Sequence, residues 1–205
     1  MGQDSVRSIH DIERSVKRAA HKGASDPHNE SCAADAADAH GAKHTPRDFG
    51  LRIGRDGTWY YLDSPIHRIP LVKLFSTVLR RDESGHFWLV TPAERGIIHV
   101  DDAPFVAVDV DIDPPAEQAG PGSTLSFRTN LDETVVAGPD HPIRLATDPE
   151  TGEPAPYVLV RDGLEALINR ATYYRLADMA VERDSGSTEL GVWSGGAFFP
   201  LGEAD

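Results

Sequence analysis

The tripeptide Arg-Asp-Gly stands twice in the chain, at residues 55–57 and 161–163, and each time it separates two apolar runs. Asp-Gly in that setting predicts a β-hairpin, because both residues tolerate the positive φ of a type I′ turn. The first hairpin reads Leu51-Arg52-Ile53-Gly54 into Thr58-Trp59-Tyr60-Tyr61-Leu62. The second reads Tyr157-Val158-Leu159-Val160 into Leu164-Glu165-Ala166-Leu167-Ile168. A helix is predicted after each, over 70–79 with Pro70 in its first turn and over 172–181 with Thr172 as N-cap. Both helices lead through an acidic, Ser/Gly-containing turn, at 82–85 or 184–186, into a strand bearing Trp88 or Trp193. The two Arg-Asp-Gly turns lie 106 residues apart and the two tryptophans 105 apart. Four elements in the same order predict an α+β fold with a duplicated ββαβ-type core.

Between the copies the chain reads as strands. Val106, Val108, Val110 and Ile112 alternate with Ala107, Asp109, Asp111 and Asp113, the pattern of a strand with one wet face. The spaced aspartates are not a calcium loop, since Pro114 replaces the required glycine and Gly120 the closing glutamate. Loop signals at Pro114-Pro115 and Gly120-Pro121-Gly122 precede short strands near 125–128, 134–137 and 142–145. The expected organisation is therefore an N-terminal tail over 1–48, a first α+β domain over 49–95, and a second, β-rich domain over 96–205 that ends in hairpin, helix and strand.

The tail lacks Phe, Tyr and Trp but holds five of the nine histidines, so it has little to bury. Val6, Ile9, Ile12 and Val16 recur at helical spacing and predict one amphipathic helix, a candidate contact for a protein partner. His28, Cys32, His40 and His44 have the spacing of a Cys-His₃ zinc set. An Ala-, Asp- and His-rich linker accounts for the same residues, and no metal or cofactor is expected. One cysteine excludes an internal disulfide. No apolar run approaches the roughly 20 residues of a membrane span, and the start lacks a secretory signal, so a cytoplasmic protein is expected.

The formal charge of −13 argues against a bulk nucleic-acid coat, whose affinity rests on many Lys and Arg contacts to phosphate. Its distribution is uneven. Residues 49–95 carry seven basic and five acidic groups, whereas residues 96–205 carry six basic and twenty acidic ones. A small anion at the seam between the halves is thus the favoured ligand, with Arg55 and Arg68 on its negative groups. Trp59 or Trp193 would stack on a flat ring, and Thr91, Asn130 and His141 would orient it. Sequence motifs for chemistry are missing. There is no phosphate loop, no dinucleotide fingerprint, and Ser194 lies outside a nucleophile elbow. An enzymatic alternative is a hydrolase or transferase using Glu94, Asp102, Asp132 and His141. A third reading is a protein-interaction module.

Several segments are similar to the bacterial domain of unknown function 1285 family. They include Arg55-Asp56-Gly57-Thr58-Trp59, Leu71-Val72-Lys73-Leu74-Phe75, Trp88-Leu89-Val90-Thr91-Pro92, Asp102-Ala103-Pro104-Phe105, His141-Pro142 and Trp193-Ser194-Gly195-Gly196-Ala197-Phe198-Phe199-Pro200. The resemblance runs from about Leu51 to Gly202 and leaves the tail out. It implies two α+β domains with a duplicated core, the second a β-rich roll with likeness to pleckstrin-homology folds. It also implies a nucleotide-like ligand at the domain interface and a role in bacterial signal transduction. The family assigns no catalytic residues, so none is carried over, and a non-enzymatic ligand-binding or sensing protein is expected.

Overall fold

The computed structural model describes residues 9–22, 47–91, 94–116, 119–147, 152–184 and 186–203. The elements run α1 (Ile9–Lys22), β1 (Asp48–Ile53), β2 (Trp59–Tyr61), β3 (Ser64–Pro65), α2 (Ile69–Thr77), β4 (Leu79–Arg81), β5 (Phe87–Val90) and β6 (Arg95–Val100). They continue with β7 (Phe105–Asp113), β8 (Thr124–Thr129), β9 (Thr134–Val136), β10 (Ile143–Thr147), β11 (Pro154–Arg161), β12 (Leu164–Ile168), α3 (Arg170–Asp178), β13 (Val181–Glu182), β14 (Glu189–Ser194) and β15 (Ala197–Glu203). Among the described residues the fold is mostly β with three helices.

The chain divides into two compact units. The first comprises Met1–Arg52 and Trp59–His99, the second Ile53–Thr58 and Val100–Asp205. The boundary expected at residue 95 falls at the first residue of β6, a strand that the first sheet keeps by pairing it with β5.

The first unit holds a six-stranded sheet in the order β3-β2-β1-β6-β5-β4. One sheet face carries Leu51, Leu79 and Leu89, all fully buried. Trp59 and Phe75 are buried beside them, their ring centroids 6.2 Å apart, which seats α2 on that face. α1 packs against α2, and its predicted apolar residues Ile12 and Val16 are buried there. Glu13 on the same helix accepts hydrogen bonds from Lys17 and from Arg68 at the start of α2. The Lys17 contact is the main reason its carboxyl sits below the ordinary value. Val6 and the tail residues His28, Cys32, His40 and His44 lie outside the described residues.

The second unit holds a mixed six-stranded sheet, β10-β11-β12-β7-β8-β9, and a three-stranded sheet, β13-β14-β15. β12 and β7 pair in parallel and the other neighbours described for the larger sheet pair antiparallel. Central placement overrides the alternation predicted for β7. Phe105, Val106 and Ala107 are all buried, and the wet-and-dry pattern starts only after the register shift between Ala107 and Asp109. A strand covered on both faces reads as a continuous apolar run.

Two sequence expectations need correction. The second Arg-Asp-Gly turn has positive φ at Asp162 and Gly163, as a type I′ turn requires, but in the first turn only Gly57 does. There the Asp56 carboxylate accepts from Thr58 N and Oγ1 at 2.9 and 2.8 Å, and Gly57 N donates to Gly54 O. This local bonding builds a wider turn. The helix predicted from Thr172 begins earlier, because Asn169 is the cap: its Oδ1 accepts from Thr172 N at 2.8 Å.

The element orders run β1-β2-β3-α2-β4-β5 and β11-β12-α3-β13-β14, alike except for β3, which has no counterpart in the second. Sheet membership differs between the copies. β4 and β5 join the sheet of their own hairpin, whereas β13 and β14 leave theirs for the small sheet.

Candidate functional site

The second unit contains a cavity of about 760 Å³. Its apolar walls come from Val106 and Val108 of β7, Pro154, Ala155 and Pro156 of β11, and Leu167 and Ile168 of β12. Its polar rim comes from Arg55 and Asp56 in the first hairpin turn, Glu153 ahead of β11, and Asn169, Arg170, Tyr173 and Tyr174 at the start of α3.

Local sequence explains why these groups meet. Asn130 stitches the first hairpin turn to β7: its Oδ1 accepts from Val106 N at 3.0 Å, and its Nδ2 donates to Gly57 O at 3.3 Å. A Cβ at residue 57 would lie 2.5 Å from that Nδ2, so the approach and the positive φ both demand glycine there. The turn held in this way presents Arg55. Its guanidinium pairs with Asp102 at 3.2 Å, and Asp102 also accepts from the Tyr157 hydroxyl at 2.7 Å. Burial, then the bond to Asp102, pushes Tyr157 up to about 12. Arg144 lies 4.2 Å over the Tyr157 ring and forms a two-pronged ion pair with Glu165. In the same lining, Arg170 Nε donates to the Tyr174 hydroxyl at 2.9 Å.

Of the residues singled out from sequence as ligand contacts, Arg55 lines this cavity. Asn130 holds the turn beside it. The others serve elsewhere. Trp59 is 1% exposed, so its ring is packed in the first unit's core and has no face for a ligand. Arg68 is bound to Glu13. Thr91 is buried and exchanges hydrogen bonds with the backbone of Glu94. His141 Nδ1 lies 3.1 Å from Leu159 O, and Trp193 meets Phe198 edge-on in the small sheet.

The groups named for the enzymatic alternative each have a partner of their own. Asp102 is engaged by Tyr157 and Arg55, Asp132 by Arg128, and His141 by a backbone carbonyl. Glu94 belongs to the first unit, where Arg47 lies 3.5 Å away. Among the described residues no group of three or more His, Cys, Asp or Glu is placed to hold a metal. Ser194 is fully buried, donating to Ala137 O at 2.6 Å and accepting from Leu125 N at 2.8 Å. It joins the small sheet to the large one and is closed to substrate.

Sequence reasoning missed Arg170, Tyr173 and Tyr174. The available signal was Asn169-x-x-Thr172, a cap that would have moved the helix start back and placed all three on its exposed first turns.

Known proteins place the chain. The N-terminal domain of unknown function DUF1285 matches residues 43–103, and the C-terminal domain of the protein of unknown function DUF1285 matches 104–201. A DUF1285 family protein from Silicibacter pomeroyi DSS-3 is 51% identical, with a TM-score of 0.70, over 76% of this chain and 81% of its own. The chain belongs to the DUF1285 family. A second DUF1285 family protein, from Shewanella baltica OS155, is 22% identical with a TM-score of 0.48, covering 63% of this chain and 91% of its own. None of the curated proteins matches. The DUF1285 domains meet at residue 103/104, so the first hairpin turn, 53–58, belongs to the N-terminal domain by sequence and to the second compact unit by contact. No described helix of this family member is long and apolar enough to cross a membrane.

Proposed function

We propose that this DUF1285 protein is a non-enzymatic ligand-binding protein of bacterial signal transduction, and that a small anionic molecule occupies the cavity of the second unit. One observation carries the reading: two arginines, Arg55 and Arg170, line a largely apolar cavity, and Arg170 is bonded to Tyr174. Binding sites commonly combine apolar walls with a few convergent polar groups. The tyrosines take the stacking role first given to Trp59 and Trp193. The repeated hairpin, helix and strand order supports a duplicated core, in which one copy supplies the helix that borders the ligand.

A thermal-shift panel of nucleotides, phosphorylated metabolites and organic acids tests the proposal. A ligand at a hundred times its Kd adds about 2.7 kcal/mol to stability. The expected result is a saturable rise in Tm that Arg55→Ala and Arg170→Ala each reduce. No rise with any anion, or a rise that both variants keep, overturns it.

A further inference from the structure

The cavity's charges and walls narrow the class of anion, on the reading that this cavity is the ligand site. Its two rim cations are matched by two rim anions, Asp56 and Glu153, so the lining carries no net positive charge. Arg55 is further balanced by Asp102 at 3.2 Å. The segment 96–205, which supplies most of the lining, holds twenty acidic against six basic groups. A di- or triphosphate would bring two or more negative charges to such a place, and summed charge of like sign raises the cost of bringing them there. A single carboxylate brings one negative charge only. A guanidinium fork binds a carboxylate through two parallel hydrogen bonds, with no further cation needed.

The walls point the same way. Val106, Val108, Leu167 and the prolines at 154 and 156 present carbon to the ligand. A sugar-phosphate body would leave hydroxyls without partners against such a surface, and each buried polar group left unmatched is costly. An apolar body gains from every Å² it covers. Arg170 is held beside Tyr174 by its Nε bond, with its guanidinium carbon 5.6 Å from the ring centroid. Cation and ring are therefore offered together at one part of the rim.

We infer that the cavity takes a monocarboxylate with a compact apolar body, its carboxylate at Arg170 and its body against the β7, β11 and β12 walls. Titration calorimetry on the full chain, with indole-3-acetate, octanoate, indole-3-acetamide, AMP and inorganic phosphate as probes, tests this. Saturable binding of either acid is expected, with the amide, AMP and phosphate weaker by about tenfold or more, the scale of a lost charge-assisted hydrogen bond. Arg170→Gln, on an exposed helix position, should weaken the acid about as much and leave the Tm of the free protein in place. Amide binding equal to that of the acid overturns the inference, as does an Arg170→Gln variant that binds the acid normally. Binding of AMP, phosphate or another nucleotide with both acids silent also overturns it while leaving the proposed function standing. Silence from these probes and from the whole anion panel overturns both.

Discussion

The two helices that follow the two Arg-Asp-Gly hairpins occupy the same place in the element order and do different work. α2 buries four of its nine residues, Leu71, Val72, Phe75 and Ser76, and it starts at Arg68 and Pro70 without a side-chain cap. α3, of equal length, buries Thr172 and Leu176 and starts at a capped Asn169. The first is held by packing, so its ends need little help. The second is held more by its cap and by Arg175, which reaches Asp109 and Val110 O on β7. Polar anchoring frees the side chains of its first turns to border a cavity. Arginine–ring stacking is common to both sheets, with Arg52 on Tyr60 and Arg95 on Trp88 in the first and Arg144 on Tyr157 in the second. The second unit buries Ser194 and uses Asn130 to tie down the turn that carries Arg55.

The largest expected effect sets a core residue of α2 against one of α3. Phe75→Ala should cost about 3–5 kcal/mol, the range for a truncated core aromatic. Leu176→Ala should fall near the lower end of the roughly 2–5 kcal/mol range for buried aliphatics, because fewer neighbours on α3 share its burial. Urea unfolding followed by tryptophan fluorescence measures both. A Leu176→Ala loss larger than that of Phe75→Ala would break the contrast.

Ser194→Ala comes next. It leaves the Leu125 N–H and the Ala137 carbonyl without their partner, and about 1–3 kcal/mol should be lost. Full stability in that variant would show that packing and the Gly195 N to Ser123 O bond suffice to hold the small sheet. The caps give a finer test. Asn169→Ala should lose about 1 kcal/mol, and Arg68→Ala, which removes no cap bond, should owe its smaller loss to Glu13 alone. Adding Arg68→Ala to Glu13→Gln should then cost little more than Glu13→Gln alone.

The smallest effect is a titration. The Tyr157 hydroxyl is raised from 10.0 to about 12 in the fold, so its neutral form is favoured there over the unfolded chain. That contribution is intact below pH 10 and is lost as pH rises towards 12. Phenolate absorbance should show one late-titrating tyrosine, and Tyr157→Phe should remove it. The opposite limb belongs to Glu13, Asp82 and Asp109, whose carboxyls are lowered chiefly by hydrogen bonds from Lys17, Trp88 and Arg175. Their contribution is complete above the ordinary carboxylate values and is lost as pH falls through the lowered ones.

Local signals in the sequence carried the fold well and the site poorly. Asp-Gly turns, a Pro70 start and alternating valines are effects of neighbours along the chain, and strands and helices appear where they pointed. The partition of strands into sheets was not legible, because it depends on which distant strand β12 meets, and that proved to be β7, in parallel. For the site, Arg55 was legible as a charged residue in a hairpin turn. Trp59 and Thr91 were misread because the same residue types serve a core and a binding surface. Tyr173 and Tyr174 went unnoticed because nothing along the chain says that one helix face borders a void.

The placement of residues 53–58 has a consequence for how such proteins diverge. A hairpin turn encoded in the N-terminal domain supplies Arg55 and Asp56 to a cavity whose other lining residues, Val106 to Tyr174, come from the C-terminal domain. Recombination at the 103/104 boundary would therefore exchange part of the rim while leaving the walls untouched. In a chimaera of two relatives, charge preference would partly follow the parent of the first segment and shape preference the parent of the second. The lining of the proposed site is thus inherited in two pieces.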